Sequence, residues 1–582
     1  MTYRNLNSLF RERMIELFNW NALVSYRVRC HNTFSLLKEL RDVVDSWIKG
    51  YVQDFRTVGL CIEETINRVK NDNVVNFSFY EKRLFVQDLE DLQKTGEKDK
   101  DKCNRVLYLL DKCILSNKDM YLATLYSEIE KIIFRDEELP DDRFKSVADE
   151  LNNLTEDLAC ELLNEGFSHR HLYNYSDKIE LSNFEASYNS FKNTHCHNAR
   201  TKKYSIIFRF NGKNYNKLCS LNQFVSKIPI SVENTQGLSN SVQEFLAARG
   251  NWIYFSCNVE ALDSISALEK AKEVVDGILD KNTLGISTLY KTFPQSALIC
   301  FSDNVQTFYL VKPIRVLDVS YADDAAIAID ISQKIDDILK ESDVSEDVKD
   351  RLRTAIRHLR FGNEETDPGQ RLINYWIALE FIFSSPMAMQ STITRLEKNL
   401  INILTCGYSN ILLLGLNEKL IKLESIKPDD YWWTKENDPL NTLINNQNYL
   451  LRYHLLCIKS HLLGHADKAQ VFIKEYETHL KWHIYRIYRF RNRLVHEAAI
   501  LPGLDNVSRD LRYYLVYVLN QIIGYFSNRN NNRANMNSFF YEYELKISLI
   551  HDTLKQSGLQ SIDRINALLQ PVIYKDLMRE SE

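Results

Sequence analysis

The chain has 582 residues, of which 45% are hydrophobic and 26% are charged, and its formal net charge is −5. This composition is typical of a globular protein with about two to four domains. It excludes a protein that binds nucleic acid through a uniformly basic surface, so any contact with RNA requires a local basic patch.

Targeting and membrane signals are not evident in the sequence. The first 21 residues mix arginines with glutamates and contain no apolar signal region. No stretch reaches about 18 apolar residues, which predicts no membrane span. The eleven cysteines are scattered between Cys30 and Cys457 without a Cys-x-x-Cys pair, which indicates reduced thiols. We therefore expect a cytoplasmic protein that has no membrane partner.

The first 165 residues read as successive helices. Leu36, Leu40, Val43 and Trp47 recur at the spacing of one amphipathic face. The charged stretch 94–102 predicts a loop, and Pro140 followed by two aspartates predicts a helix start. No residues with evident chemistry occur here. We interpret residues 1–200 as a helical N-terminal region for regulation or partner contact.

Residues 166–200 are polar and contain two histidine pairs, His169 with His171 and His195 with His197. Zinc binding would need ligands that converge from more than one segment. The alternative, which we favour, is that these are exposed loop histidines.

Residues 201–323 change character and predict a small α+β domain. Four short runs rich in β-branched and aromatic residues predict strands, namely 203–210, 252–258, 297–302 and 305–311. Asp303-Asn304 predicts a hairpin turn, and Ser266 with Glu269 predicts a capping box at the start of a helix over 266–279. No glycine-rich phosphate loop is present, so no nucleotide cofactor is expected.

Residues 324–582 return to helical patterns. The spacing predicts helices over 325–340, 346–361, 369–383, 450–463, 467–498 and 509–526 and a final helical pair over 539–580. Asp367-Pro368 is a strong helix-start signal. Residues 384–445 contain three prolines and read as an insertion, in which Trp432 and Trp433 are expected to pack. The fold class predicted for the whole chain is therefore mainly α.

Residues 485–497, at the end of one long helical pattern, combine aromatic residues, arginines, an asparagine and a histidine. Asn492 and His496 lie one helical turn apart on one face. Arg491, which four residues separate from His496, instead shares an apolar stripe with Tyr488 and Val495. Its guanidinium there needs a partner, either a carboxylate within the fold or a phosphate at an interface.

This Arg-Asn-x-x-x-His pattern resembles the motif of the HEPN superfamily, and residues 367–383 resemble the Apea-like branch of that superfamily. The resemblance covers about residues 330–582 and implies an all-α HEPN bundle. Members of the family often read Val-His-Gly, whereas this chain has Glu497 after His496. The added carboxylate would either raise the histidine pKa or face solvent.

The resemblance implies a metal-independent endoribonuclease in which Arg491, Asn492 and His496 are catalytic. Histidine suits proton transfer and arginine suits phosphate contact. A homodimer would bring two copies of the motif together, so that each chain contributes one histidine. Supporting roles remain open: Glu380 could pair with Arg491, orient His496 or form a structural ion pair. The basic residues expected to bind the RNA backbone, unless they form a solvated charged face, are Arg486, Arg489 and Arg493.

The implied biology is a toxin-like effector of antiphage defence by abortive infection, held inactive by the N-terminal half until a trigger, possibly of phage origin, arrives. Its expected target is tRNA or another structured RNA. The alternative is a non-catalytic HEPN module that binds RNA or a partner protein as a sensor or scaffold.

Four further residues fall on a single helix stripe, namely His454, Cys457, His461 and His465. We interpret them as buried structural residues or, less simply, as metal ligands.

Overall fold

The protein is described by a computed structural model. It describes residues 4–19, 31–52, 54–135, 141–196, 201–211, 224–230, 237–247, 250–283, 296–301, 308–311, 325–365, 367–384, 391–423, 426–427, 431–434, 443, 447–464, 466–497, 503–528, 531, 533–555, 565 and 568–569. The described part of the chain is mainly α with one small α+β region, which confirms the predicted fold class.

The chain forms two compact units. One consists of Met1–Cys160 together with Val319–Glu582, and the other of Glu161–Asp318. The second unit ends at Asp318, close to the expected boundary near residue 324, but it begins at Glu161 and not near residue 200. Residues 161–200 group with the strands, and the N-terminal and C-terminal helices form one unit. Periodicity identifies helices but not the partners that their faces pack against, so it does not reveal this grouping.

The N-terminal helices are α1 (Arg4–Phe18), α2 (Thr33–Ile48), α3 (Phe55–Asn71), α4 (Lys82–Thr95), α5 (Lys100–Asn117), α6 (Tyr121–Ile133) and α7 (Asp141–Glu165). Helices α2 to α6 share one apolar core, to which Leu40 and Val43 contribute as the spacing predicts. The expected break near residue 96 and the helix start after Pro140 are both confirmed.

The α+β unit contains α8 (His169–Asp177), α9 (Phe184–Thr194), α10 (Asn240–Ala247) and α11 (Ser264–Thr283). Its strands are β1 (Lys202–Asn211), β2 (Phe224–Val225), β3 (Trp252–Ala261), β4 (Ser296–Phe301) and β5 (Phe308–Val311). They form an antiparallel sheet in the order β2-β3-β1-β4-β5. Helix α11 packs on one face of this sheet and α10 on the other.

Two local predictions in this unit concern the start of α11 and the turn between β4 and β5. The predicted capping box at Ser266 is wrong, because Asp263 caps α11 by accepting hydrogen bonds from the backbone N–H groups of Ile265 and Ser266 at 2.8 and 2.9 Å. The observed capping residue lies three positions before Ser266. The predicted hairpin turn at Asp303-Asn304 lies outside the described residues, although β4 and β5 do pair antiparallel.

The C-terminal helices are α12 (Ala325–Lys340), α13 (Glu346–Glu364), α14 (Pro368–Phe383), α15 (Thr392–Lys422), α16 (Tyr449–Ile458), α17 (Ala466–Glu497), α18 (Leu504–Ser527) and α19 (Met536–Lys555). A π-helical turn, Lys459–Leu463, follows α16. Asp367 caps α14 as the Asp-Pro signal predicts, since its carboxylate accepts from Gly369 N and Gln370 N.

The expected insertion at 384–445 contains the long helix α15, which the sequence interpretation did not predict. By length and composition alone this helix could cross a membrane. However, 61% of its most apolar window is buried inside the protein, where it packs against α14, α17, α18 and α19. It is thus placed as a core helix. Trp432 and Trp433 are buried beside it, as expected.

Candidate functional site

The three residues predicted to be catalytic lie in the last two turns of α17. His496 is exposed, Asn492 is half-buried, and 24% of the Arg491 side chain is exposed. Arg491 Nη1 donates a hydrogen bond to Asn492 Oδ1 at 3.1 Å. A guanidinium, an amide and an imidazole therefore occur on the last two turns of one helix, and the first two of these groups are in contact.

Helix α14 supplies the carboxylate that faces Arg491. Glu380 Oε1 lies 3.8 Å from Arg491 Nη2, and the same oxygen accepts a hydrogen bond from Trp376 Nε1 at 2.6 Å. Trp376 is buried and its ring lies 5.7 Å, centroid to centroid, from that of Tyr488. Of the roles left open for Glu380, the structure thus places it as a partner of Arg491, held by an indole one turn earlier on its own helix.

Close packing fixes the relation of α14 to the end of α17. A Cβ on Gly369, in the first turn of α14, would lie 3.2 Å from Leu494 Cδ2. Further along α14, Trp376 meets the earlier residue Tyr488. Trp376 is not among the predicted site residues. The available signal was its spacing of four residues from Glu380, which places both side chains on one helix face.

Arg486 and Arg489 do not form the predicted RNA-binding patch. Arg486 is fully buried, with Nε 3.0 Å from Glu39 Oε2 on α2 and Nη2 paired with Glu64 on α3. Arg489 is 6% exposed, pairs with Glu39 and donates to the backbone oxygen of Thr57. Residues three apart share a helix face, and this face of α17 is covered by α2 and α3.

Glu39 lies between these two arginines, and their positive charges shift its pKa. Burial by itself would raise the pKa of Glu39, but the Arg486 and Arg489 guanidinium groups outweigh burial and hold it well below its usual range. Glu39 is therefore ionised at neutral pH. The third member of the predicted patch, Arg493, is half-buried and makes its own contacts within the protein.

The residues considered as metal ligands on α16 and the turn after it have other partners. His454 Nε2 lies 3.0 Å from Glu16 Oε2, and His461 Nδ1 lies 2.7 Å from the backbone oxygen of Cys457. Burial opposes ionisation of Glu16, but His454 and Arg13 outweigh it and lower the pKa of Glu16 to about 2. His465 lies outside the described residues. In the described part of the chain, no three potential ligands converge.

The histidines near residues 169–195 are not exposed loop residues, contrary to prediction. His195 follows α9 and is fully buried, and its Nε2 lies 3.1 Å from His171 Nε2 on α8. Burial lowers the pKa of His195 to about 4, so it is neutral at physiological pH. Polar composition suggested a loop here, but the helices α8 and α9 bury these rings. His197 lies outside the described residues.

Comparison with known proteins gives no family assignment. No family model matches the sequence, and neither the curated proteins nor the solved structures contain a match. The function is therefore inferred from the residues at the end of α17 and from the motif resemblance.

Proposed function

We propose that this protein is a metal-independent endoribonuclease of the HEPN type, with its reacting groups on the last two turns of α17. The observation that carries the proposal is the accessibility of Arg491 and His496. On the same helix, Arg486 and Arg489 are buried in ion pairs, so exposure at the end of α17 is not a general property of its charged residues.

RNA supplies its own nucleophile, the ribose 2′-hydroxyl. A base removes the 2′ proton, the 2′-oxygen attacks the adjacent phosphorus, and the bond from phosphorus to the 5′-oxygen breaks. An acid then protonates the leaving 5′-oxygen, which gives a 2′,3′-cyclic phosphate and a 5′-hydroxyl. His496 suits either proton transfer, and Arg491 suits the phosphoryl oxygens because its donors match them in pairs. Asn492 holds Arg491 through the hydrogen bond at its Nη1.

The reaction needs both a base and an acid, and one His496 is present in each chain. We propose that two chains associate so that the two His496 side chains divide these roles. Val495, adjacent to His496, is 47% exposed and offers apolar surface at this end of α17. Dimerisation would then be a condition of activity.

We further propose that the enzyme is a toxin-like effector of antiphage defence that cuts tRNA or another structured RNA, and that its N-terminal helices keep it silent until a trigger arrives. The contacts of Arg486 and Arg489 with α2 and α3 support a route for such control. A displacement of either N-terminal helix would act directly on α17 at Arg486 and Arg489, which lie five and two residues before Arg491.

A non-catalytic HEPN module that binds RNA or a partner protein is the second candidate. It is favoured by one observation, which is that Glu380 lies 3.8 Å from the guanidinium of Arg491. A carboxylate at that distance competes with a phosphate for the same donors. The two candidates differ in whether RNA is cut.

The test is to map RNA ends in cells that express wild type, His496→Ala, Arg491→Ala or the control Arg360→Ala. Arg360 is an exposed arginine on α13 that pairs with Glu364. Wild type and the control should produce cyclic-phosphate ends at discrete positions. Both site variants should lose at least about 100-fold of this cleavage. Cleavage by the purified protein should persist in EDTA.

Identical RNA ends from wild type and His496→Ala would contradict the catalytic proposal. If no variant cuts RNA but wild type binds it more tightly than Arg491→Ala, the binding module is favoured instead. An obligate monomer in solution that still cuts RNA would remove the two-chain arrangement.

A further inference from the structure

The α10 face of the sheet contains a cluster of polar side chains within an apolar surface. Alternation along β1 places Ile207 and Arg209 on this face, where Ile207 joins the α10 core. The strand register pairs Arg209 with Tyr254 on β3 and with Ser296 on β4. Three polar side chains on three adjacent strands therefore face the same side.

Two aromatic rings hold the Arg209 guanidinium. Its Cζ lies 4.5 Å from the centroid of Phe245 on α10 and 4.6 Å from that of Trp252 on β3. Such contacts attract a cation through the ring faces and leave the N–H donors at the edge of the guanidinium for other partners. Within the described residues, Arg209 makes no ion pair or side-chain hydrogen bond. A preoriented guanidinium with unused donors is thus present.

The position of Trp252 depends on a glycine. Gly250 has φ +156°, and a Cβ there would lie 2.8 Å from Trp252 Nε1. Any larger residue would be strained in its backbone and would collide with the indole. The chain therefore uses a glycine to let Trp252 lie where it meets Arg209.

The hydroxyl of Ser296 also indicates that a ligand binds here. It is 8% exposed, and its Oγ has no hydrogen-bond partner within the described residues. A buried hydroxyl without a partner is costly, so such groups usually have one. Ser296 is the direct cross-strand neighbour of Arg209, and a ligand held by that arginine would be placed to accept from this hydroxyl.

Tyr254 completes the cluster on the other side of Arg209. Burial raises the pKa of its phenol, although the charge of Arg209 opposes this rise. The phenol is therefore protonated at neutral pH and available as a donor. The cluster offers donors from a guanidinium, a hydroxyl and a phenol.

We propose that Arg209, Ser296 and Tyr254 form a binding site for the carboxylate or phosphate group of a small molecule. Arginine binds both groups through paired donors, and the hydroxyl and the phenol add one donor each. The half-buried Trp252 gives apolar surface to the remainder of the ligand. The site lies wholly within the α+β unit and does not depend on the proposed ribonuclease activity.

The test is calorimetric titration of the full chain with inorganic phosphate and, separately, with acetate, at fixed ionic strength. Saturable binding of phosphate identifies a phosphate site, and saturable binding of acetate alone identifies a carboxylate site. Arg209→Gln should weaken binding at least about tenfold and Ser296→Ala about two- to tenfold. Arg170→Gln, which removes one exposed arginine from the same unit, is the matched control and should bind like wild type.

We expect Ser296→Ala to fold like wild type, because it only removes a hydroxyl that has no partner in the described residues. Circular dichroism checks that this variant is folded. The proposal is overturned if wild type binds neither probe saturably, if folded Ser296→Ala binds as tightly as wild type, or if Arg170→Gln weakens binding as much as Arg209→Gln does.

Discussion

The middle and the end of α17 have similar residues in opposite environments. In the middle, Arg486 and Arg489 are buried between two glutamates from the N-terminal helices. At the end, Arg491 is partly exposed beside one carboxylate and His496 is exposed. An arginine-rich helix therefore does not by itself indicate a nucleic-acid surface. What decides is which face of the helix another element covers.

Helical phase explains the difference between neighbouring arginines. Two residues along an α-helix correspond to a rotation of about 200°, so Arg489 and Arg491 point to nearly opposite sides. Helices α2 and α3 cover the side of Arg489, whereas α14 borders the side of Arg491. The first arginine is therefore part of the protein interior, whereas the second is partly exposed.

The largest expected effect is on stability and separates the two arginines. Arg486→Met should lower the free energy of unfolding by about 3–5 kcal/mol, because it leaves Glu39 and Glu64 short of a buried partner. Arg491→Met should lower it by less than about 1 kcal/mol, since its ion pair is long and partly exposed. Urea unfolding of both variants measures this difference. Equal losses would show that the two environments are energetically alike.

The second prediction concerns the packing of α13 against α14, the helix that carries Glu380. A Cβ on Gly362 in α13 would lie 2.2 Å from Tyr375 Cε1, and that ring is fully buried in α14. Gly362→Ala should therefore cost about 1–3 kcal/mol by overpacking. Gly277→Ala on α11 is the control, because no atom of the described residues lies within 4 Å of its added Cβ. Thermal unfolding should show a loss for the first variant and no loss for the second.

Local signals predicted much of the helical framework. The bounds of α12 coincide with the predicted 325–340, and the Asp-Pro signal predicted the start of α14. Helix α15 was missed because it is buried on several sides, so its apolar residues form no single stripe. The three prolines taken as breakers all lie outside it.

Local spacing also predicted part of the candidate site. Spacing within one helix predicted that Asn492 and His496 lie together, and the apolar stripe predicted that Arg491 needs a partner. The roles of Arg486 and Arg489 were not predictable, because their partner Glu39 lies more than 440 residues earlier in the chain. No local pattern carries information about a contact at that separation.

A third prediction concerns the pH dependence of the buried cluster. His31 Nε2 lies 3.9 Å from Glu39 Oε2, but burial and the charge of Arg486 lower the pKa of His31 from 6.5 to about 3. Between these values the unfolded chain binds a proton that the folded chain does not. Stability should therefore fall as pH falls from 6.5 towards 3, by up to about 1.4 kcal/mol per pH unit from this residue.

The variant that isolates this contribution is His31→Gln, whose amide can still hydrogen-bond to Ser35 Oγ. Urea unfolding at several pH values should give a shallower slope for the variant than for wild type, by up to one proton, between pH 6.5 and 4.5. Carboxylates contribute below that range, so the comparison is restricted to it. An unchanged slope would show that His31 already carries its proton in the folded protein.

The smallest expected effect tests whether the end of α17 is available to RNA. Glu380→Gln keeps an oxygen that can accept from Trp376 Nε1 but removes the charge beside Arg491. The free energy of unfolding should change by less than about 1 kcal/mol, because both side chains are partly exposed. RNA affinity should rise a few-fold, since the phosphate no longer competes with a carboxylate for the guanidinium.

Glu364→Gln is the matched control, because Glu364 also pairs with an arginine but lies on the exposed face of α13. Filter binding at several salt concentrations should show tighter binding for Glu380→Gln than for both wild type and Glu364→Gln, with the difference shrinking as salt rises. If both glutamate variants gain equally, the gain comes from net charge and not from Arg491. If Glu380→Gln binds more weakly, the carboxylate serves to orient the guanidinium, and Arg491 would then depend on α14 in the way that Arg486 depends on α2 and α3.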